Sequence, residues 1–332
     1  MEKAQEILST LYYRLFEKED VPGILQLWEE DSGWGGITDE QLNNWYFKTP
    51  CGPCFIVIAQ NQDKMIVGQM VFNPVVVLLE GNEIKACRGS APILKASYRR
   101  YSINHPDHPA FAMIRFGMEA GKQQGYHLVY SFPASGWAAL LRAFPKYGLP
   151  YGHIALYDCF VLSLKSNCPS TDSNFTTGIA KFFTEEYDQL WEAAKESFPL
   201  RAAVKRNAAW LKWKISSHLV IEIRYTENNS LMGYAAIDKQ SGLIVDMLAR
   251  TKEDLTQVIK SVVHGLHASN PDRLMIDANN LKGMLTPQVQ VALEIIPFAK
   301  ERFTFAFFCY ALQNSVSMQS IHPTKWYMMP ND

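Results

Sequence analysis

The sequence predicts an α/β protein of the α+β kind, built from two tandem domains that each hold a mixed, mainly antiparallel sheet flanked by helices. Its 332 residues are many for one compact core. The hydrophobic period changes repeatedly between that of strands and that of helices. The order of elements in residues 1–164 returns in residues 179–332, and residues 165–178, which are rich in Ser, Thr and Asn, are predicted to be a linker.

The first domain begins with a strand and a short amphipathic helix, continues as an antiparallel meander and ends in alternating helices and strands. Turn residues and apolar periodicity set the bounds of each element. The predicted strands are Leu11–Glu17, Phe55–Ala59, Met65–Phe72, Val75–Leu79, Ile84–Cys87, Tyr126–Phe132 and Ile154–Leu164. The predicted helices are Val21–Glu30, a helix from Pro109 to a stop at Gly125, and Trp137–Phe144.

The second domain follows the same order with little identity in its residues. Its predicted strands are Ile179–Phe182, Leu219–Tyr225, Leu231–Ile237, Leu243–Leu248, Arg273–Ala278 and Phe303–Leu312. Its predicted helices are Glu185–Phe198, Lys252–Ala268 and Pro287–Ile295.

Composition and charge limit the possible environments and partners. A net charge of −1 provides no general attraction to nucleic acid, so a nucleic-acid partner is not expected. No apolar run reaches the roughly 18 residues of a membrane-spanning helix, and the first 20 residues do not resemble a secretory signal. These features predict a cytoplasmic protein without a membrane partner; they do not indicate its oligomeric state.

The tetrapeptide Cys51-Gly52-Pro53-Cys54 matches the redox motif of thioredoxins. In that motif a helix follows the first Cys and lowers its pKa, whereas here an apolar strand follows. A zinc site needs two further ligands at matching spacing, and none is apparent. The favoured interpretation is a Gly-Pro turn with free thiols, and no metal site is predicted.

The order of elements and several segments resemble the GNAT superfamily of N-acetyltransferases. The stretch APILKASYRRYSIN (91–104) is similar to its fourth strand and pyrophosphate loop, and GYHLVYSFP with LLRAFPKYGL (125–149) to its fifth strand and following helix. In the second half, RNAAWLKWK (206–214) and WYMMPND (326–332) are similar to segments of bacterial tandem GNAT proteins.

The resemblance implies acetyl-CoA as co-substrate, with the pyrophosphate bound at a helix N-terminus after the fourth strand. Pro92, Ile93, Leu94 and Lys95 are the implied strand edge, and Arg99, Arg100, Tyr101 and Ser102 the implied phosphate loop. Backbone N–H groups near Leu94 and Lys95 are the implied oxyanion donors. Arg99 and Arg100 fit equally well an ordinary solvated basic pair.

Three features depart from the family pattern. Ser102 and Asn104 stand where the loop has Gly and Gly/Ala, and residues 105–110 (HPDHPA) lie before the helix. Phe144 aligns with the tyrosine that commonly serves as general acid, and the neighbouring Tyr147 is the candidate catalytic residue, with core packing as the alternative. His105, Asp107 and His108 offer a base or metal ligands, although a helix cap is the commoner role for such residues.

The second domain is predicted to be non-catalytic. Glu253 and Asp254 lie at a predicted helix start, where carboxylates would repel a phosphate. Trp210, Trp213 and Trp326 either line a cleft or, as favoured, close a core.

Three functions remain open. The first is an acyl-CoA-dependent N-acyltransferase that acetylates a small amine, and the second is a catalytically degenerate protein that binds a ligand or partner. The third is a tandem enzyme that takes its donor from an aminoacyl-tRNA, which the near-neutral charge disfavours.

Overall fold

The structure is a computed structural model that describes residues 10–99, 105, 107–133, 137, 141–142, 144–149, 152–163, 173–197, 200–268, 280–284, 302–329 and 332. The chain forms two compact units, each assembled from three segments. The first unit contains Met1–Val76, Ile84–Ala155 and Phe307–Ile321. The second contains Val77–Glu83, Leu156–Ala306 and His322–Asp332.

The described elements are numbered in chain order. The strands are β1 (Tyr12–Leu15), β2 (Phe55–Gln60), β3 (Ile66–Leu79), β4 (Asn82–Leu94), β5 (Leu128–Ser131), β6 (His153–Ser163), β7 (Phe175–Ile179), β8 (Ala202–Val204), β9 (Leu219–Tyr225), β10 (Leu231–Ile237), β11 (Ile244–Ala249), β12 (Asn280–Met284), β13 (Arg302–Ala311) and β14 (Trp326–Tyr327). The helices are α1 (Val21–Asp31), α2 (Asp39–Tyr46), α3 (Ala96–Arg99), α4 (Pro109–Gln123), α5 (Glu185–Ser197), α6 (Ala208–Ile215) and α7 (Lys252–Ala268).

The sheet of the first unit is buried on both faces. Side chains of β2 alternate between two apolar clusters, with Val57 in one and Ile58 in the other, as the two-residue period of a strand requires. The cluster around Val57 includes Phe111 and Met118 of α4. The cluster around Ile58 includes side chains from α1 and α2. A central sheet therefore carries α4 on one side and the α1–α2 pair on the other.

A strand from late in the chain joins this sheet. The strand order is β1-β2-β3-β4-β5-β13, and β13 pairs antiparallel with β5, with Phe308 opposite Ser131 and Ala311 opposite Leu128. Only the pairing of β4 with β5 is parallel among the ladders described in this unit.

The second unit contains an antiparallel sheet in the order β11-β10-β9-β7. All residues of β10 and β11 are buried. Helices α5 and α7 contribute Trp191 and Val258 to the buried residues. In the same unit β14 pairs in parallel with β8.

The mixed α/β fold class is confirmed, and most predicted bounds agree with the structure within a few residues. Helix α4 begins at Pro109 and ends before Gly125, whose φ of 81° is a left-handed conformation that suits glycine. Helices α5 and α7 and the strands β9, β10 and β11 likewise lie where periodicity predicts them.

The structure differs from the sequence predictions at three places. Val75–Leu79 is not a separate strand but the end of β3, and the side chain of Asn73 within β3 is hydrogen-bonded inside the unit. The strand predicted at Ile179–Phe182 lies earlier in the structure, as β7 (Phe175–Ile179), an exposed strand whose Thr residues favour β structure, and the linker over residues 165–178 stays a prediction. Helix α2 was not predicted, since its eight residues bury only Leu42 and Tyr46. The predictions for residues 273–278 and 287–295 lie outside the described residues.

Candidate functional site

Strands β4 and β5 run side by side over only three residue pairs. Residues 86–88 pair in parallel with residues 128–130. Strand β4 continues to Leu94, and within it Ala91 has a φ of 45°, which is uncommon for a residue with a side chain. Such a residue interrupts a ladder and redirects a strand. In the described part of the chain, residues 90–94 of β4 therefore present an edge that no ladder with β5 covers.

A chain of buried polar groups crosses the sheet beside this edge. The thiol of Cys54 donates to the Oδ1 atom of Asn73 at 3.0 Å. The Nδ2 group of Asn73 donates to the Oγ atom of Ser90 at 2.5 Å and, at 3.4 Å, to the carbonyl oxygen of Arg88. This network fixes β4 against β3 immediately before Ala91.

A cluster of aromatic rings lies beside Arg88 at the point where β4 and β5 part. The Arg88 guanidinium carbon lies 5.6 Å from the centroid of the Phe132 ring. The Phe132 ring lies 6.1 Å from that of Tyr130 and 5.4 Å from that of Phe307. No sequence pattern predicts Arg88, Asn73 or Ser90 as site residues, because single polar residues in strands have no diagnostic spacing and only the strand register brings them together.

The predicted strand edge lies in β4 and at its end. Pro92 is exposed, Ile93 and Leu94 are buried, and the backbone N–H of Lys95 donates to the carbonyl of Val67 at 2.8 Å. The N–H of Lys95 is thus occupied in this structure, although it is one of the two implied oxyanion donors. The Lys95 ammonium lies 3.3 Å from a carboxylate oxygen of Glu30.

A carboxylate from α1 occupies the start of α3, where the predicted phosphate loop begins. An oxygen of Asp31 accepts a hydrogen bond from the backbone N–H of Ala96 at 2.7 Å and lies 3.0 Å from Arg99 Nη2. The same Arg99 nitrogen donates to the Asp31 carbonyl at 2.8 Å. We call this arrangement the Asp31 clasp. The other predicted loop residues, Arg100, Tyr101 and Ser102, lie outside the described residues, as does Asn104.

The N-terminus of α4 is capped by its own residues. The ring Nδ1 of His108 accepts from the N–H of Ala110 at 3.3 Å, and its carbonyl accepts from the N–H groups of Phe111 and Ala112. Burial lowers the pKa of His108, so the ring is neutral and its proton lies on Nε2. The helix-cap interpretation of His108 is therefore the one that this geometry supports. His105 and Asp107 lie 3.8 Å apart, and no cluster with metal-ligating composition is found among the described residues.

Tyr147 and Phe144 lie in the core on the α4 side of the sheet. The ring of Tyr147 stacks on that of Phe111 at a centroid distance of 4.7 Å, and Tyr147 is 4% exposed. Its carbonyl accepts from Arg115 at 2.7 Å. Phe144 is packed edge-to-face against Phe308. The structure thus places Tyr147 in an aromatic stack, and its catalytic role stays a prediction.

Cys51, Cys54, Cys87 and Cys309 form no disulfide in this structure. Cys54 precedes β2, and its backbone N–H donates to the carbonyl of Tyr46 at the C-terminal end of α2, so no helix N-terminus is available to lower the pKa of its thiol. Burial raises the pKa of both the Cys87 and the Cys309 thiols, which keeps them protonated.

A buried ionic network lies in the second unit. The Nε atom of Arg206 donates to Asp246 at 2.8 Å, and its Nη2 atom donates to both carboxylate oxygens of Asp332 at 2.6 and 2.7 Å. The Tyr234 hydroxyl donates to the second oxygen of Asp246. The Tyr327 ring centroid lies 5.1 Å from the Arg206 guanidinium carbon. Because these side chains are fully buried, the network closes a core and offers no open ligand position.

The remaining predicted residues of the second unit take structural positions. Trp210 and Trp326 are buried, which agrees with core packing. Glu253 and Asp254 lie in the first turn of α7, where Asp254 accepts a hydrogen bond from the Tyr225 hydroxyl at 3.1 Å. Their position at the helix start is the one that the sequence predicts.

Comparison with solved structures identifies the fold as that of the GCN5-related N-acetyltransferases, the GNAT fold. A GCN5-related N-acetyltransferase from Anabaena variabilis has a TM-score of 0.64 at 10% identity, over 91% of this chain and 73% of that one. Saccharomyces cerevisiae N-myristoyltransferase with bound myristoyl-CoA has a TM-score of 0.57 at 9% identity, over 91% and 83%.

The likeness extends to a tandem arrangement. A tandem GNAT protein from the clavulanic acid biosynthesis pathway is similar over 92% of this chain and all of its own, with a TM-score of 0.55 and 12% identity. No family model and no curated protein sequence matches the chain. These similarities establish the fold. No helix among the described residues is long and apolar enough to cross a bilayer.

Proposed function

We propose that this chain is an acyltransferase that uses an acyl-CoA thioester, with acetyl-CoA as the first candidate, to acylate a small amine. The observation that supports the proposal is the open edge of β4 after the three-residue ladder with β5, with Ala91 in a left-handed conformation. An open strand edge offers backbone N–H and C=O groups that pair with an extended chain containing amides. The pantetheine arm of CoA is such a chain.

The chemistry requires a neutral amine to attack the thioester carbonyl. The amine nitrogen forms the new C–N bond and then loses a proton, the C–S bond breaks, and the CoA thiolate leaves and takes up a proton, so the reaction releases no net proton. In the proposal β4 holds the thioester, and the Cys54–Asn73–Ser90 network keeps that strand in place. Tyr147 remains the proposed proton donor, and a Tyr147→Phe substitution tests this role because it removes only the hydroxyl from the aromatic stack with Phe111.

The phosphate end of the cofactor would meet the Asp31 clasp. Arg99 is about half exposed and already binds Asp31, so a phosphate must compete with that carboxylate. An Asp31→Asn substitution keeps an oxygen to accept from the Ala96 N–H and removes the competing charge. We therefore expect this variant to bind acetyl-CoA several-fold more tightly than the wild type.

The test is an acyl-transfer assay in which free CoA and acylated product are separated chromatographically after incubation with a panel of primary amines. The proposal predicts amine-dependent release of CoA with a matching yield of acylated amine. Release of CoA without acylated amine indicates hydrolysis of the thioester and contradicts the proposed function.

The role of Tyr147 has its own test. A Tyr147→Phe variant that folds normally and keeps the wild-type kcat would exclude proton donation by this residue.

A second candidate function is ligand binding without catalysis. It is favoured by the Asp31 clasp and by the capped start of α4, because the N–H group of Ala96 at the start of α3 and those of residues 110–112 at the start of α4 already have acceptors. Binding of acetyl-CoA without transfer to any amine supports this function.

A further inference from the structure

The surface formed by α1, α2 and their connecting loop combines exposed tryptophans with negative charge. Trp34 is 66% exposed and Trp45 is 42% exposed, whereas Trp28 between them is buried. The centroid of the Trp28 ring lies 5.8 Å from that of Trp34 and 6.2 Å from that of Trp45. The three rings thus form one aromatic cluster, and we call its exposed part, the rings of Trp34 and Trp45, the tryptophan surface.

The loop that carries Trp34 is held in a defined conformation. The N–H of Trp34 donates to the Oγ atom of Ser32 at 2.9 Å, and that hydroxyl donates to the carbonyl of Gly35 at 3.0 Å. Gly33 and Gly35 have φ values of 75° and 90°, which glycine adopts without strain. The exposed ring is therefore presented by an ordered turn, so binding to it has little ordering cost.

The chain segment that forms this surface has charged residues of one sign only. From Glu19 to Phe47 the chain has seven acidic residues and no Lys, Arg or His. Asp20, Glu30 and Asp31 form ion pairs with Arg14, Lys95 and Arg99. The exposed carboxylates of Glu29, Asp39 and Glu40 form no ion pair with any described residue.

Local helix stability explains only part of this pattern. Asp39 and Glu40 lie in the first turn of α2, where a carboxylate is favourable. Glu29 instead lies in the last turn of α1, where the helix dipole disfavours a negative charge. The charge of Glu29 at this position lowers the stability of the helix, and no ion pair with a described residue compensates for it. This indicates a role in binding and not in folding.

We infer that the tryptophan surface binds an arginine-bearing segment of a partner peptide, with a guanidinium stacked on Trp34 or Trp45 and further basic groups near Glu29, Asp39 and Glu40. Arginine is the favoured cation because its planar guanidinium stacks on indole and is weakly hydrated. Several separated carboxylates suit a polycationic segment better than a single small cation. This inference does not depend on the proposed acyltransferase function.

The test is calorimetric titration of the full chain with a capped hexa-arginine peptide at low ionic strength. Hexa-lysine and hexa-glutamate peptides serve as comparisons. We expect binding of hexa-arginine, weaker binding of hexa-lysine and none of hexa-glutamate. Trp34→Ala and Trp45→Ala should each weaken hexa-arginine binding by about threefold to tenfold.

The matched control is Tyr12→Ala, which removes another ring, 61% exposed, from the same unit. It should bind like the wild type. Circular dichroism of every variant checks that the fold is kept. The inference is overturned if hexa-arginine does not bind at about 1 mM or if hexa-lysine binds as tightly as hexa-arginine. It is also overturned if both tryptophan variants bind hexa-arginine like the wild type, or if Tyr12→Ala weakens this binding as much as they do.

Discussion

At the scale of single residues, the most constrained side chain of the second unit is Arg206. Its guanidinium makes hydrogen bonds to two buried carboxylates and to the carbonyl of Val204. The positive charge of Arg206 thus lies between the carboxylates of Asp246 and Asp332, and solvent reaches none of the three side chains. Removing the cation leaves uncompensated buried charge, which costs more than the pair itself contributes.

We therefore predict that Arg206→Leu lowers the free energy of unfolding by about 3–5 kcal/mol. Urea denaturation followed by circular dichroism measures the change. Lys212→Leu, at an exposed position of α6, is the control and should change the value by less than about 0.5 kcal/mol. A loss of similar size in both variants would contradict the role assigned to the network.

The pH dependence of stability provides a second test of this network. Burial raises the pKa of Asp246 from 3.8 to about 6, although the charge of Arg206 opposes the shift. A group whose pKa is higher in the folded state favours folding most at low pH. Its contribution is complete below about pH 4 and is lost as the pH rises through about 6.

Asp246→Asn should remove this dependence. Between pH 4 and 7 the free energy of unfolding of the wild type should fall relative to that of the variant, as measured by urea denaturation at several pH values. Parallel curves for the two proteins over this range would show that Asp246 does not titrate there.

At the scale of elements, the contact of α4 with the sheet depends on a missing side chain. A Cβ atom added to Gly117 would lie 2.0 Å from Cε2 of Phe72, which is 1% exposed and stacked on Phe55 at 4.9 Å. The ring has no free space to move into. Helix and strand approach each other closely because position 117 is glycine.

Gly117→Ala is accordingly predicted to destabilise the protein by about 1–3 kcal/mol, despite the better helix propensity of alanine. Thermal unfolding followed by circular dichroism measures the effect. Gly36→Ala is the matched control, because its added Cβ meets only Glu29 atoms at 3.5 Å or more. A Gly117→Ala variant as stable as this control would disprove the close packing.

The elements also show what sequence can predict. Long periodic helices such as α4 and α7 were predicted almost to the residue, because one apolar face repeats over several turns. Helix α2 was missed because its apolar residues are too few to reveal a period. The polar residues at the β4–β5 separation were missed for another reason. Asn73 and Ser90 are brought together only by strand register, and local sequence patterns do not predict register.

At the scale of the whole molecule, neither compact unit is a continuous piece of chain. Phe307–Ile321 belongs to the first unit, where β13 pairs with β5. The division into domains at residues 1–164 and 179–332 stays a prediction, and it is tested by whether one half folds by itself. The element order of each half is visible in the sequence, but an exchange of segments between halves leaves no periodic signal.

A fragment of residues 1–164 would expose the edge of β5 that β13 covers and would lose Phe308 and Leu312 from its core. We predict that this fragment has no cooperative thermal transition, whereas the full chain has one. Far-ultraviolet circular dichroism and dispersion of amide proton signals measure this. A fragment with a cooperative transition and dispersed signals would show that the first half folds without β13.

The central claim is that the open edge of β4 and the start of α3 bind an acyl-CoA. Calorimetric titration of the full chain with acetyl-CoA and with CoA tests it most directly, with Arg99→Ala as the variant and Lys122→Ala, on the exposed end of α4, as the control. We predict that both ligands bind in the micromolar range, about tenfold more weakly to Arg99→Ala and equally well to Lys122→Ala. No heat of binding for either ligand with the wild type, confirmed by equilibrium dialysis, would contradict the claim.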